Sequence, residues 1–228
     1  MANIVELKNI NKIYGDKIKT QVLYDINLRF EENSFNSIIG ESGSGKSTLL
    51  NIIGTLDKPT NGEVFIDQNR TDTLDKKALS VLRNQTMGFI FQFHYLLPEF
   101  TAKENVLMPY KINSYKVPKE VDEWADELIN LVGLAKVKNN LATDMSGGQQ
   151  QRTAIARALI NKPKIILADE PTGNLDSDTT ENVYSILKNI NKNFKTTFII
   201  ITHDQRIAEK TDRIIEIKDG RINLDLRK

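Results

Sequence analysis

Residues 40–47 read Gly-Glu-Ser-Gly-Ser-Gly-Lys-Ser, the pattern G-x-x-x-x-G-K-[ST]. The pattern lies between an apolar run, Ser34 to Ile39, and a helix-favouring one, Thr48 to Ile53. Strand, glycine loop and helix in that order limit what the chain can become. The glycines let the backbone curl so that successive amide hydrogens face one anion, and the helix that follows adds the positive end of its dipole. Lys46 can reach the β and γ phosphates of a nucleotide, and Ser47 can offer a hydroxyl to magnesium. A turn that merely joined a strand to a helix would need neither the lysine nor the hydroxyl. The segment reads as a nucleoside triphosphate site in an α/β protein.

The rest of the chain fits that layout. Ile4 to Ile13 and Val22 to Phe30 read as strands parted at Gly15-Asp16, and Glu31-Glu32-Asn33 leads into Ser34 to Ile39. Gly62 to Asp67 and Met87 to Phe91 read as further strands, with a helix over Asp75 to Arg83 between them. From Gln92 to Ile160 the pattern turns helical, with Pro98, Pro109 and Pro118 as punctuation and a helix over Lys119 to Val132. Ser146 has the place of an N-cap, with Gly147-Gly148 before a helix-favouring run from Gln149 to Ile160. Ile165 to Ala168 is wholly apolar, the mark of a parallel strand buried on both faces. A helix over Ser177 to Asn191, an apolar strand at Thr197 to Ile201 and a hairpin around Asp219-Gly220 complete the pass.

Asp169-Glu170 follows the apolar strand directly. Carboxylates at the carboxyl end of a buried parallel strand stand where open α/β sheets bind ligands. Asp169 suits a magnesium site and Glu170 suits polarisation of an attacking water.

Composition narrows the function classes. With 31 Lys and Arg against 30 Asp and Glu, nothing in the charge balance points to nucleic acid, and none is expected as a partner. No cysteine means no disulfide and no thiolate metal site. The N-terminus lacks the basic and apolar regions of a secretory signal, and no apolar run approaches the roughly 18 residues of a membrane span. The expectation is a soluble, cytosolic chain of 228 residues that reaches a membrane only through a partner. A GTPase is disfavoured, because Asn161-Lys162-Pro163-Lys164 and Asn191-Lys192-Asn193-Phe194 both lack the aspartate of N-K-x-D.

Ser146-Gly147-Gly148-Gln149-Gln150-Gln151-Arg152 resembles the signature sequence of the ABC ATPases, with Met145 where leucine is usual. The resemblance runs along nearly the whole chain. It implies that Tyr14 stacks on adenine and that Gly40, Glu41, Ser42, Gly43, Ser44, Gly45, Lys46, Ser47 and Thr48 hold the phosphates of ATP. It implies that Ser47, Gln92 and Asp169 surround Mg2+, that Glu170 is the catalytic base, and that His203 contacts the γ phosphate. Ser146, Gly147, Gly148 and Gln149, with Asp176 in the loop Asn174-Leu175-Asp176, serve a second copy's ATP across a head-to-tail, ATP-dependent dimer. His94 has no place in these motifs and is given no role.

The fold implied is α/β: a P-loop NTPase (RecA-like) core with a mostly parallel sheet, an N-terminal antiparallel β subdomain and an inserted helical subdomain. As domains, residues 1–91 and 161–228 form the core lobe and 92–160 the helical lobe. The aromatic segment Phe91 to Pro98 resembles the border of the groove that receives a membrane-spanning subunit. Ala168 to Asp176, with the longer loop Gly15 to Thr20, resembles the lipoprotein-release, macrolide-export and cell-division ATPases. Such a subunit is peripheral on the inner face of the cell membrane. The alternative is a soluble ABC-type ATPase in a non-transport process such as DNA repair or translation, although the insertion is short and lacks the coiled coil or zinc module of the repair proteins.

Overall fold

A computed structural model describes residues 2–114 and 116–228. Two sheets carry the architecture. The first is antiparallel and contains β1 (Asn3–Tyr14), β2 (Thr20–Glu31), β4 (Asn61–Ile66) and the two-residue β5 (Asn69–Arg70), in the order β2-β1-β4-β5. The second contains β3 (Phe35–Ile39), β6 (Met87–Phe91), β7 (Ile165–Asp169), β8 (Thr197–Ile201), β9 (Arg213–Lys218) and β10 (Arg221–Arg227), in the order β10-β9-β3-β8-β7-β6. Its first five members by sequence pair in parallel, and β10 closes one edge as an antiparallel hairpin with β9.

The central strands are apolar throughout because side chains alternate between two buried faces. Ile38, Ile165, Leu167, Ile199 and Ile201 point to the face shared with the antiparallel sheet and with α1 (Lys46–Ile53). Phe35, Ile166, Ala168, Phe198 and Ile200 point to the other face. That face is covered by α3 (Ala102–Lys111), α4 (Lys119–Leu131), α5 (Gly147–Leu159) and α6 (Ser177–Phe194). The remaining α-helices among the described residues are α2 (Lys76–Thr86) before β6 and the single turn α7 (Gln205–Ala208) after β8.

Helix starts follow side-chain chemistry. Thr101 caps α3 and Ser146 caps α5, each in a reciprocal capping box with Glu104 or Gln149, a motif worth about 1 kcal/mol per capping residue. Asp75 and Asp176 cap α2 and α6. Capping by Ser146 makes Gly147 the first helical residue, two positions ahead of the Gln149 that opens the helix-favouring run. Pro109, expected as a break, lies inside α3 near its end. A proline there forfeits one intrahelical hydrogen bond, and the Asn84 side-chain amide donates to the Pro109 carbonyl at 2.9 Å.

Among the described residues, 92–160 contain helices, turns and one isolated bridge, Thr101 with Leu141. α5 is seated on β6 at Gly88. A Cβ there would come within 2.3 Å of the Ala158 carbonyl oxygen and 2.5 Å of Ile166 Cδ1. This close approach seats the C-terminal end of α5 directly on β6.

Candidate active site

The loops after β3, β6, β7 and β8 all leave the carboxyl end of the same parallel sheet, where α/β proteins place ligands. Register brings them together: Phe91 is opposite Asp169, and Asp169 is opposite Ile201, two residues before His203. Between them lies a cavity of about 700 Å³. Gly40, Lys46, Ser47, Gln92, Asp169, Glu170 and His203 all line it.

The loop between β3 and α1 is built for an anion. Gly40, Gly43 and Gly45 have φ of 147°, 79° and 106°, a left-handed region open to glycine at little cost. A Cβ on Gly43 would meet nothing within 4 Å, so the loop presents bare backbone there. Ser44 Oγ is buried with no hydrogen-bond partner among the described residues, a state that an incoming acceptor would relieve. Lys46 Nζ donates to the Gly40 and Glu41 carbonyls at 2.8 and 2.7 Å.

Burial pushes the Asp169 carboxyl above the usual carboxylate range. A hydrogen bond from the Ser47 hydroxyl and the charge of Lys46 pull the other way, while the charge of Glu170 adds to the rise. Glu170 adopts φ of 48° and its amide donates to the Ile201 carbonyl at 3.0 Å. A non-glycine residue in that region carries steric strain of about 1 kcal/mol, and here the strain aims a catalytic-type side chain. Glu170 Oε2 lies 2.8 Å from His203 Nδ1. The glutamate side chain is only 18% exposed and the imidazole 70%, so the carboxylate stands inside the cavity and the ring at its mouth. Gln92 Nε2 makes a long hydrogen bond of 3.4 Å to Asn174 Oδ1.

Other residues singled out in the sequence do not line this cavity. Tyr14 is 41% exposed. Its hydroxyl donates to Asp57 Oδ2 at 2.7 Å, and Lys12 Nζ lies 4.6 Å from its ring centroid. Asp176 Oδ1 and Oδ2 accept from the Thr179 amide and hydroxyl, at 2.9 and 2.8 Å. The Thr179 amide, first among those bonds, holds the Asp176 carboxyl below the usual range. Ser146 Oγ accepts from the Gln149 amide at 3.3 Å, and Gln149 Oε1 accepts from the Ser146 amide at 2.9 Å. A Cβ on Gly147 would meet nothing within 4 Å, which leaves this turn open.

Two features were not visible in the sequence. Val22 lines the phosphate cavity, because its carbonyl and the side chain of Leu23 pack against Gly45. A second, more apolar groove of about 400 Å³ runs between β6, α2, α3 and α5, with Leu56, Val81, Phe89, Phe91 and Ile112 in its walls. Of the segment Phe91 to Pro98, only Phe91 lines it; Phe93 and Tyr95 are about two-thirds exposed elsewhere. The signal for the groove was Val81, an apolar residue on the otherwise polar face of α2.

No group of three His, Cys, Asp or Glu that could hold a metal occurs among the described residues. Hard oxygens are nevertheless adjacent at Ser47 and Asp169, and a magnesium ion takes much of its shell from phosphates and water.

Residues 23–173 match the family described as ABC transporter. The chain is 47% identical over 224 residues to the lipoprotein-releasing system ATP-binding protein LolD 1 of Rhodopseudomonas palustris, covering 97% of this chain and 99% of that protein. It is 46% identical over 222 residues to the lipoprotein-releasing system ATP-binding protein LolD of Anaeromyxobacter dehalogenans, covering 97% and 93%. Its fold superposes with a TM-score of 0.90, at 44% identity and 98% coverage of both chains, on the dimeric post-hydrolysis state of the ATP-binding cassette MJ0796 bound to ADP and phosphate. A likeness this close in sequence and in fold, from one end of the chain to the other, shows that the protein belongs to the ABC transporter family as an ATP-binding, ATP-hydrolysing member.

Proposed function

We propose that this chain is the ATPase subunit of a membrane complex that releases lipoproteins from a membrane, and that it works as a head-to-tail dimer. The observation that carries the dimer is the incompleteness of the phosphate cavity. It holds the phosphate loop, Asp169, Glu170 and His203, but not Ser146 to Gln149, whose glycine amides form a second anion cradle at the start of α5, open at Gly147. A second copy turned head to tail would bring that cradle to the cavity's mouth. Support for lipoprotein release comes from the two LolD relatives, each aligned over nearly its whole length.

Within the dimer, Tyr14 stacks on adenine and the amides of Gly40 to Thr48 receive the phosphates. Lys46 exchanges its two carbonyl partners for phosphate oxygens. Ser47, Gln92 and Asp169 would hold magnesium, which would neutralise charge on the phosphates. Glu170 accepts a proton from the attacking water, worth about 10²–10⁴ in rate. His203 donates through Nδ1 to Glu170 and so fixes the carboxylate, leaving Nε2 to face the γ phosphate. Asp176, besides capping α6, contacts the second copy. Residues 1–91 and 161–228 act as the core lobe and 92–160 as the helical lobe, and closure of the dimer moves one against the other.

The apolar groove beside β6 receives a helix of the membrane subunit. This refines the docking segment, since Phe91 but not Phe93 or Leu97 lines the groove. No helix among the described residues is long and apolar enough to cross a membrane, so a place on the inner face depends on that partner. Mass spectrometry of what copurifies with tagged protein from detergent-solubilised membranes tests the reading. A polytopic membrane protein in stoichiometric amount is expected; recovery of soluble partners alone would overturn it.

A further inference from the structure

His94 belongs to none of the ATPase motifs, yet it is buried where two of them meet. Its ring spans two backbone carbonyls 55 positions apart. Nδ1 lies 3.0 Å from the oxygen of Gln92, and Nε2 lies 3.0 Å from the oxygen of Gly147. One side chain thus touches the residue that faces the chain's own phosphate cavity and the first turn of the signature helix. Arg157, further along the same helix, donates Nη1 to the Tyr95 carbonyl and Nη2 to the His94 carbonyl, both at 2.6 Å. The loop after Gln92 is fastened to α5 at two points.

The loop is also strained. His94 and Tyr95 have φ of 54° and 48°, two consecutive non-glycine residues in the left-handed region. Such a conformation persists only where the surroundings hold it, and here the clamps are His94 and Arg157. Both partners are carbonyl acceptors, so a ring with one N–H donates to one of them and only a ring with two donates to both. With the Nε2 bond to the Gly147 oxygen made, a shift of the loop that carries His94 must either take Gly147 along or leave a buried donor without its partner, and the second is costly.

We propose that His94 is a positioning residue that couples Gln92, at one ATP, to the Ser146-Gly147-Gly148 cradle offered to the other copy's ATP. The coupling rests on the head-to-tail arrangement above for its purpose, but its physical core is confined to one chain. Glutamine at this position reaches as far as Nε2 and keeps the Gly147 contact, whereas asparagine reaches only as far as Nδ1 and keeps the Gln92 contact.

The test is hydrogen exchange in peptides covering residues 145–152, with and without Mg-ATP, on protein dilute enough to remain monomeric. The parent is expected to change protection there on adding ATP. His94→Ala should lose at least three-quarters of that change while the phosphate-loop peptides keep theirs, His94→Gln should recover most of it and His94→Asn little. In the Glu170→Gln background, His94→Ala should need about tenfold more protein to dimerise at saturating ATP. An unchanged exchange response in His94→Ala, no ATP response in the parent, or equal rescue by Asn and Gln would overturn the coupling. Failure of the Glu170→Gln parent to dimerise would instead strike the dimer, and the monomer exchange data would still decide the role of His94.

Discussion

Replacing Glu170 by glutamine isolates the chemical step. The side chain keeps its length, and Oε1 can still accept from His203 Nδ1, a contact of 2.8 Å in the parent. What disappears is the charge proposed to take the proton. Loss of a general base lowers the rate about 10²–10⁴-fold, or about 3–5 kcal/mol of barrier. His203→Ala removes the donor but leaves the base. A hydrogen bond to a charged group is worth about 1.5–3 kcal/mol, at the low end here because the ring is largely exposed, so a loss of about tenfold is expected. The Nδ1–carboxylate bond is shared, so the double variant should be slower than Glu170→Gln alone by less than the roughly tenfold loss of His203→Ala, the remainder reporting the Nε2 contact with the γ phosphate. Phosphate release at saturating ATP and magnesium measures the three rates, with ATP affinity measured separately. A Glu170→Gln rate within threefold of the parent, or losses that multiply in the double variant, would refute this account of the pair.

Asp169→Asn should abolish most turnover without destabilising the protein at neutral pH. The folded-state pKa is raised by burial, so the stability linked to this carboxyl is present below its unfolded value and is lost as pH rises through the folded one. Thermal unfolding should therefore show the variant equal to or above the parent at pH 7, with the difference shrinking as pH falls through the carboxylate range. Gly88→Ala drives a methyl group into the Ala158 carbonyl, and overpacking of this kind costs about 1–3 kcal/mol, seen as a lower denaturation midpoint. Ile112→Asp puts a charge in the wall of the apolar groove; membrane-partner capture should fall at least tenfold while ATP turnover in solution stays within twofold.

The parts of the site legible in the sequence were those whose chemistry is local. A phosphate loop announces itself because strand, glycines, lysine and hydroxyl are contiguous, and Ile165 to Ala168 and Thr197 to Ile201 declare a parallel sheet because both of their faces are buried. The cap at Ser146 was legible for the same reason. Residues joined only by tertiary packing were not. His94 and Gly147 meet because the loop after β6 folds back onto α5, where Arg157 also holds it, and no periodicity records that. The left-handed backbone of Glu170 depends on its amide reaching Ile201 on the neighbouring strand. Pro109 looked like a break because propensity speaks for the isolated chain, whereas α3 is held by its capping box and by burial against the core.

The central claim is that the hydrolytic cavity is half of a site and that the cradle at Ser146 completes it in a second copy. Light scattering of Glu170→Gln protein at micromolar concentration, with and without Mg-ATP, tests it directly. A dimer that forms with ATP, and that Ser146→Arg abolishes without loss of ATP binding to the monomer, is the expected result. A protein that stays monomeric with ATP bound would contradict the account.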